Sequence, residues 1–416
     1  MEKLYDIKEE QERVILVGVC TNEHDDTMES LDELKDLVKT AGAIPHEIVV
    51  QNRESIHPGT YIGKGKIEEL RQRIIELNAT GIVCDDELSP AQLKNLEDEL
   101  DTKVMDRTLI ILDIFAARAR TREGKIQVEL AQLKYRSSRL IGLRSSLSRL
   151  GGGIGTRGPG EKKLEMDRRL IRDRISQLKR EIEDMKGHRE LQRVKRAKNP
   201  CKMVAIVGYT NAGKSTLLNK LTDAKVLEED KLFATLDPTT RNYKLASGEE
   251  VMFTDTVGFI RKLPHHLIDA FKSTLEEAKY ADILVHVVDA SNPQMDAHMH
   301  IVYETLDNLG VKDKQIITLF NKQDKLRLSG ETPVLRDFKA DYTEATSIRF
   351  GEGIDNLLTD IEEILRNQKI YIEKVMPYSE AGKIQLIRKY GELLKEEYRE
   401  DGIYVEAYVP IEIYEK

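Results

Sequence analysis

No apolar run in this 416-residue chain approaches the ~20 residues that a bilayer-spanning helix needs. The N-terminal MEKLYDIKEEQER is acidic and polar where a secretory leader would carry an apolar stretch. No integral membrane span is expected, and the chain reads as cytoplasmic. Cysteine is scarce: Cys20, Cys84 and Cys201 stand singly, which argues against a disulfide framework and against a zinc site. A basic excess is lacking as well, with 65 Lys and Arg against 73 Asp and Glu. That balance fits a hydrophilic globular protein and gives no general reason to bind polyanions. The deficit is uneven, however. Between Arg118 and Lys198 there are 24 Lys and Arg against 10 Asp and Glu. One basic segment in an acidic chain can meet a polyanion at a defined place, although a solvated Arg-rich helix face would look the same.

The length is too great for one core and predicts two to four domains. The first hundred residues alternate strand and helix patterns: RVILVGVC, SLDELKDLVKTAG, HEIVV, a helix over about Lys66 to Ala79, GIVCDD, the helical SPAQLKNLEDEL with its Ser-Pro start, and a short KVMDR strand. Such alternation predicts an α/β domain on a parallel sheet. Gly63-Lys64-Gly65-Lys66 precedes one of these helices, but the Walker spacing and a metal-binding Ser/Thr are missing, so a plain turn competes with a phosphate-loop reading. From about Thr108 to Leu150 (with Ile126, Leu130 and Leu133), and again from about Lys162 to Arg196 (with Leu170, Ile171, Ile175, Leu178 and Ile182), apolar residues recur at helical spacing. Neither stripe can be buried alone, so the two segments are expected to pair as an antiparallel hairpin. Their connection, Gly151 to Gly160, holds six glycines and a proline. It is either an interdomain linker or a tip whose backbone can approach a ligand closely.

The chemistry concentrates further on. KMVAIV reads as a buried strand, followed at once by Gly208-Tyr209-Thr210-Asn211-Ala212-Gly213-Lys214-Ser215 and a helix opening at Thr216. This is a phosphate loop in its strand–loop–helix setting: inward N–H groups for the β-phosphate, Lys214 across the β and γ oxygens, and Ser215 for Mg²⁺. Phe233-Ala234-Thr235-Leu236-Asp237-Pro-Thr239-Thr240-Arg241 offers threonines as a second protein ligand of Mg²⁺. The strand VMFTDT then delivers Asp255-Thr256-Val257-Gly258, in which Asp255 can hold the metal's hydration shell and the Gly258 N–H can meet the γ-phosphate. A bare DxxG is expected by chance in most chains, so its place at a strand end after the phosphate loop carries the weight. After the apolar strands ILVHVVDA and IITLF comes Asn321-Lys322-Gln323-Asp324. The Asp324 carboxylate can accept from guanine N1–H and the exocyclic amine, a pairing adenine cannot make. A P-loop GTPase that hydrolyses GTP is the reading. Phe259 stands where many GTPases carry the Gln that orients the attacking water, so intrinsic hydrolysis is expected to be slow and completed by a partner. Asn211 offers either a K⁺ ligand beside the phosphates or a loop-bracing hydrogen bond.

Across nearly the whole chain the sequence resembles the HflX family of ribosome-associated GTPases, within the translation-factor-related group. The resemblance rests on GGGIGTRGPGE between basic helices, FATLDPTTR, DTVGF, GTYIGKGKIEEL and VMDRT. It implies that FATLD is switch I with Thr235, rather than Thr239 or Thr240, as the Mg²⁺ ligand. The base-supporting fifth motif would be Ser347-Ile348-Arg349, whose middle residue departs from the more usual Ala. It further implies binding to the large ribosomal subunit and its rRNA through the basic hairpin, with the tip toward the peptidyl-transferase region, and splitting of stalled or idle ribosomes. The expected architecture is multidomain α/β: an N-terminal α/β domain (1–108), a basic helical hairpin (109–198), a G domain (199–368) and a small C-terminal α/β domain (369–416) of strand, helix (about Ser379 to Arg399) and strand. The chain is taken as a monomer. Two other classes compete: an RNA-remodelling, helicase-like enzyme with its own N-terminal ATP site, and a G-domain scaffold for a membrane or signalling partner. The lack of a span or of a basic amphipathic end disfavours the scaffold.

Overall fold

The computed structural model describes residues 11–21, 26–147, 159–196, 201–222, 232–233, 235–263, 277–330 and 333–414. The Gly-rich stretch 151–158 and Ala234 lie outside the described residues. By its internal contacts the chain divides into two compact units, Met1–Glu183 with Arg261–Ala270, and Asp184–Ile260 with Phe271–Lys416.

In the first unit, β1 (Arg13–Cys20), β2 (Ile44–Asn52), β3 (Gly81–Cys84) and β4 (Lys103–Asp106) form a parallel sheet in the order β2-β1-β3-β4. Its crossover helices are α1 (Thr27–Thr40), α2 (Lys64–Glu76) and α3 (Pro90–Leu100). The helix α3 starts where Ser-Pro announces it: Ser89 accepts from the Gln92 N–H, and the Gln92 side chain returns a bond to the Ser89 N–H in a capping box. At Gly63, before α2, the backbone N–H donates to Gln51 Oε1 at 2.8 Å, so the turn of the Gly-Lys-Gly-Lys segment is satisfied within the protein.

The single helical pattern expected over Thr108 to Leu150 is two helices, α4 (Arg107–Arg118) and α5 (Arg122–Leu147). Ala119 turns to extended backbone, and Thr121 Oγ1 accepts from the Gly124 N–H, so α5 has its own cap, a signal overridden in the sequence by the continuous apolar spacing. The long α6 (Pro159–Arg196) runs antiparallel to α5, because Arg174 makes a bidentate pair with Glu129 at 2.7 and 2.9 Å while Arg122 reaches Glu181. Leu178 is fully buried on this seam, whereas Leu170 is exposed.

The second unit holds a six-stranded sheet ordered β10-β9-β8-β5-β7-β6, from β5 (Lys202–Gly208), β6 (Thr239–Lys244), β7 (Glu250–Asp255), β8 (Ile283–Asp289), β9 (Gln315–Asn321) and β10 (Tyr342–Ala345). All pairings are parallel except β6 with β7. The helices α7 (Lys214–Thr222), α8 (Met295–Asn308), α9 (Gln323–Ser329) and α10 (Ile354–Asn367) accompany it. Val204, Ile206, Phe253, Val285, Ile317 and Leu357 are among the residues of its core. Buried apolar strands flanked by helices fix the loops at the carboxyl ends of β5, β7 and β9 close together, the usual place for a ligand in such sheets.

A three-stranded antiparallel sheet of β11 (Lys369–Met376), β12 (Glu392–Arg399) and β13 (Gly402–Pro410), in the order β11-β13-β12, ends the chain with its own cluster around Ile387, Val405 and Ala407. Here the expected helix from Ser379 to Arg399 is corrected. A 3-10 turn at Tyr378–Glu380 leads into α11 (Ala381–Tyr390), where the helix stops, and Glu392–Arg399 is strand β12, paired with β13; α12 (Ile411–Tyr414) follows β13. ELLKEEYR is rich in helix formers, but Gly391 breaks the helix: a Cβ there would lie 2.7 Å from the Tyr408 carbonyl oxygen. Pairing with β13 then outweighs local propensity.

Candidate functional site

Three loops converge at the carboxyl end of the six-stranded sheet. The first follows β5. Its glycine at 213 has φ +111, and a Cβ there would meet Asn321 Nδ2 at 2.4 Å, so the close approach of loop and base motif requires glycine. Asn211 also takes a left-handed conformation, with φ 60. Lys214, buried at the start of α7, donates to the Tyr209 carbonyl at 2.7 Å. Burial pushes its ammonium down to about 8, opposed by the Asp255 carboxylate and reinforced by Lys322. An ammonium held in so dry a place is matched to a polyanion that would restore its full charge.

The second loop follows β7. Asp255 is fully buried at the strand end, and burial raises its carboxyl above the ordinary range against the pull of Lys214 and Ser215. Its Oδ2 accepts from Ser215 Oγ at 2.8 Å, while its Oδ1 is buried without a hydrogen-bond partner. Thr256 anchors the turn by donating to the Ile206 carbonyl. The following Val257-Gly258-Phe259 is pressed onto the phosphate loop: Phe259 N–H donates to the Gly208 carbonyl at 3.1 Å, and Thr210 N–H donates to the Phe259 carbonyl at 2.8 Å. A Cβ on Gly258 would sit 2.8 Å from Thr210 Cγ2 and 3.0 Å from Lys214 Nζ. Phe259 itself is buried, with 2% of its surface exposed, so its side chain is packing and cannot orient water from that position.

The FATLD segment contributes Thr235, whose Oγ1 lies 2.8 Å from Ser215 Oγ. Leu232, Phe233 and Leu236 are buried around it, and Asp237 follows at the edge. Thr239 and Thr240 are elsewhere, in β6, where Thr240 is bonded to Thr254. The separation of the two hydroxyl oxygens fits adjacent ligands of an octahedral Mg²⁺, for which bonds of 2.0–2.1 Å place neighbouring oxygens about 2.9 Å apart. The unpartnered Asp255 Oδ1 beside them supplies an acceptor for a metal-bound water.

The third loop follows β9. Asn321 bridges two motifs: its Nδ2 donates to the Ala212 carbonyl at 2.8 Å and its Oδ1 accepts from the Ile348 N–H at 3.0 Å. Asp324 Oδ1 accepts from Ser347 Oγ at 2.7 Å, which aims the carboxylate, while Gln323 N–H donates to the Thr346 carbonyl. Arg349 is exposed. Lys322 takes φ 67 and pairs with Asp289 Oδ2 at 2.7 Å. Asp289 belongs to none of the motifs; its only signal in the sequence is that it is the acidic residue closing the apolar strand ILVHVVD.

Known proteins are similar to this chain in sequence. Residues 28–116 match the family described as GTP-binding GTPase N-terminal, 118–196 the GTP-binding GTPase middle region, and 203–322 the 50S ribosome-binding GTPase family. The GTPase HflX of Lacrimispora saccharolytica is 69% identical over 414 residues, covering 100% of this chain and 97% of the relative. The GTPase HflX of Escherichia coli K12 is 39% identical over 400 residues, covering 96% and 93%. Among solved structures, the SsGBP–GDP complex is similar over 85% of this chain and 98% of that one, at 25% identity and a TM-score of 0.48. Identity at this level over the full length shows that the chain belongs to the HflX family and is a GTPase, an enzyme that hydrolyses GTP.

Proposed function

We propose that this GTPase acts on the large ribosomal subunit and separates stalled or idle ribosomes into subunits. The observation that carries the enzymatic part is the convergence of Ser215, Thr235 and Asp255 within hydrogen-bonding distance beside the buried Lys214. Residues 208–216 wrap the phosphates, Lys214 bridges the β and γ oxygens, and Gly258 offers its N–H to the γ-phosphate. Asp324, aimed by Ser347, reads guanine, with Asn321, Lys322 and Gln323 building the loop and Ile348 and Arg349 closing the fifth motif. Ser215 and Thr235 would hold Mg²⁺, which supplies charge neutralisation on the β and γ oxygens. Asn211 is placed in the same loop and could supply a K⁺ ligand.

The ribosomal part is supported by the match of residues 203–322 to a 50S ribosome-binding GTPase family and by the basic surplus between Arg118 and Lys198. Lys and Arg on α5 and α6 give rRNA phosphates a defined landing place. The buried Phe259 leaves water orientation to the docked partner, so ribosomal particles should raise turnover strongly. The reading takes the protein as cytoplasmic and monomeric; no helix among the described residues is long and apolar enough to cross a membrane. The decisive experiment is co-sedimentation with large subunits in GTP-analogue and GDP. Binding that ignores the nucleotide, or a GTPase rate indifferent to ribosomes, would sink the proposal.

A further inference from the structure

The phosphate loop is bounded by glycines of positive φ at 208 and 213, a backbone free to adopt many conformations unless something holds it. Its one large side chain is Tyr209, and that ring is buried to 6% exposure, lying flat on the imidazole of His298 with centroids 3.7 Å apart and planes within 5°. His298 stands near the start of α8, the helix after β8, and belongs to none of the nucleotide motifs. The Tyr209 peptide is a junction. Its carbonyl receives Lys214 Nζ, and the residues on either side, Gly208 and Thr210, make the two backbone bonds to Phe259. Whatever fixes the Tyr209 ring therefore fixes the register of the Gly258–Phe259 peptide against the loop.

We infer that His298 is a positioning residue for GTP hydrolysis, acting through its stack on Tyr209 to hold the phosphate loop in register with the DTVGF segment. This rests on the assignment of the site above. The amides that wrap the β-phosphate are held by the start of α7 and by Asn321, so they do not depend on the stack. The Gly258 N–H serves only the γ-phosphate and does depend on it. His298 should consequently matter for turnover and for discrimination of GTP from GDP, and little for GDP itself. An aromatic pair of this kind corresponds to about two- to tenfold in an equilibrium or rate.

The test compares His298→Ala and His298→Phe with the unaltered full-length chain, with Lys214→Ala as control. His298→Ala should lower kcat by about two- to tenfold and lower the preference for a GTP analogue over GDP by a similar factor, while the Kd for GDP changes less than twofold. His298→Phe, which keeps a flat ring, should restore both quantities. Wild-type kcat and preference in His298→Ala overturn the inference. So does a parallel loss of GDP affinity and thermal stability, the mark of a merely structural contact. A His298→Phe variant as impaired as the alanine variant also overturns it, since stacking would then not be what counts. Normal hydrolysis by Lys214→Ala would instead refute the site assignment itself, and the two failures are thus told apart.

Discussion

Asp324 can present two carboxylate oxygens to guanine because Ser347 and the turn beneath it set the orientation. Asp324→Asn should shift preference from GTP toward xanthosine triphosphate, since the amide donates where xanthine has a second carbonyl, at a cost in GTP binding of about 2–4 kcal/mol; a competition assay with unchanged selectivity would remove the base-recognition argument. If the Ser215 hydroxyl holds the metal as proposed, Ser215→Ala should lower hydrolysis by about 10²-fold or more with normal folding, because the core around Leu217 and Leu218 is untouched. Single-turnover rates and a denaturation curve check both halves. His286 is a different kind of residue. It is buried in the middle of β8, edge-on to Tyr303, with Nδ1 3.9 Å from Asp337, beyond hydrogen bonding. Burial pushes its imidazolium down from the ordinary 6.5, and although burial pushes Asp337 up, the hydroxyls of Thr318 and Tyr303 and the Lys339 N–H that donate to it hold that carboxyl well below the usual range. Both groups therefore bind fewer protons in the folded chain than in the unfolded one. Their stabilisation is complete above about pH 6.5 and is lost as pH falls, first through His286 and at lower pH through Asp337. His286→Phe should flatten the loss of stability just below pH 6.5, measured by urea denaturation across that range. An unchanged pH dependence would show that another group is responsible.

Elements are joined in the first unit by Asp106, which has no exposed surface. One oxygen caps α4 through the Leu109 N–H and accepts from Tyr135 of α5; the other accepts from the Leu88 N–H and from Arg139 of α5. Arg139 also lies over the Tyr135 ring. Asp106→Ala should cost about 3–5 kcal/mol by stranding a nearly buried guanidinium together with the cap and loop donors, whereas substitutions at the exposed Leu170 of α6 should stay within about 0.5 kcal/mol. Denaturant midpoints separate the two. The Ser89 start of α3 and the strand-then-helix alternation before it were legible because caps and apolar runs are local. The break between α4 and α5 was masked by apolar spacing that runs on past the local Thr121 cap, and the strand identity of Glu392–Arg399 was not legible because it depends on β13, a later part of the chain, lying beside β12.

For the molecule as a whole, charge distribution makes a prediction that no single residue does. If Lys and Arg of α5 and α6 contact rRNA phosphates, binding to large subunits should weaken by about 10³-fold or more between 50 and 200 mM salt, while GTP affinity changes far less; a flat salt dependence by co-sedimentation would exclude phosphate contacts as the main source of binding. The motifs and their order were legible in the sequence alone, because each is a short run whose conformation is set locally at the end of a buried strand. The same is true of the missing water-orienting Gln. The residue types by themselves left Thr235, Thr239 and Thr240 equal and only the family resemblance pointed to Thr235; the tertiary structure puts Thr235 beside Ser215 and Thr240 against Thr254 in β6. It alone brought Asn321 across to Ala212 and Ile348, and His298 flat against Tyr209. The physical reason is sequence separation: a motif carries its own local geometry, but a contact between residues tens of positions apart exists only once the sheet has set the spacing of the loops that hold them.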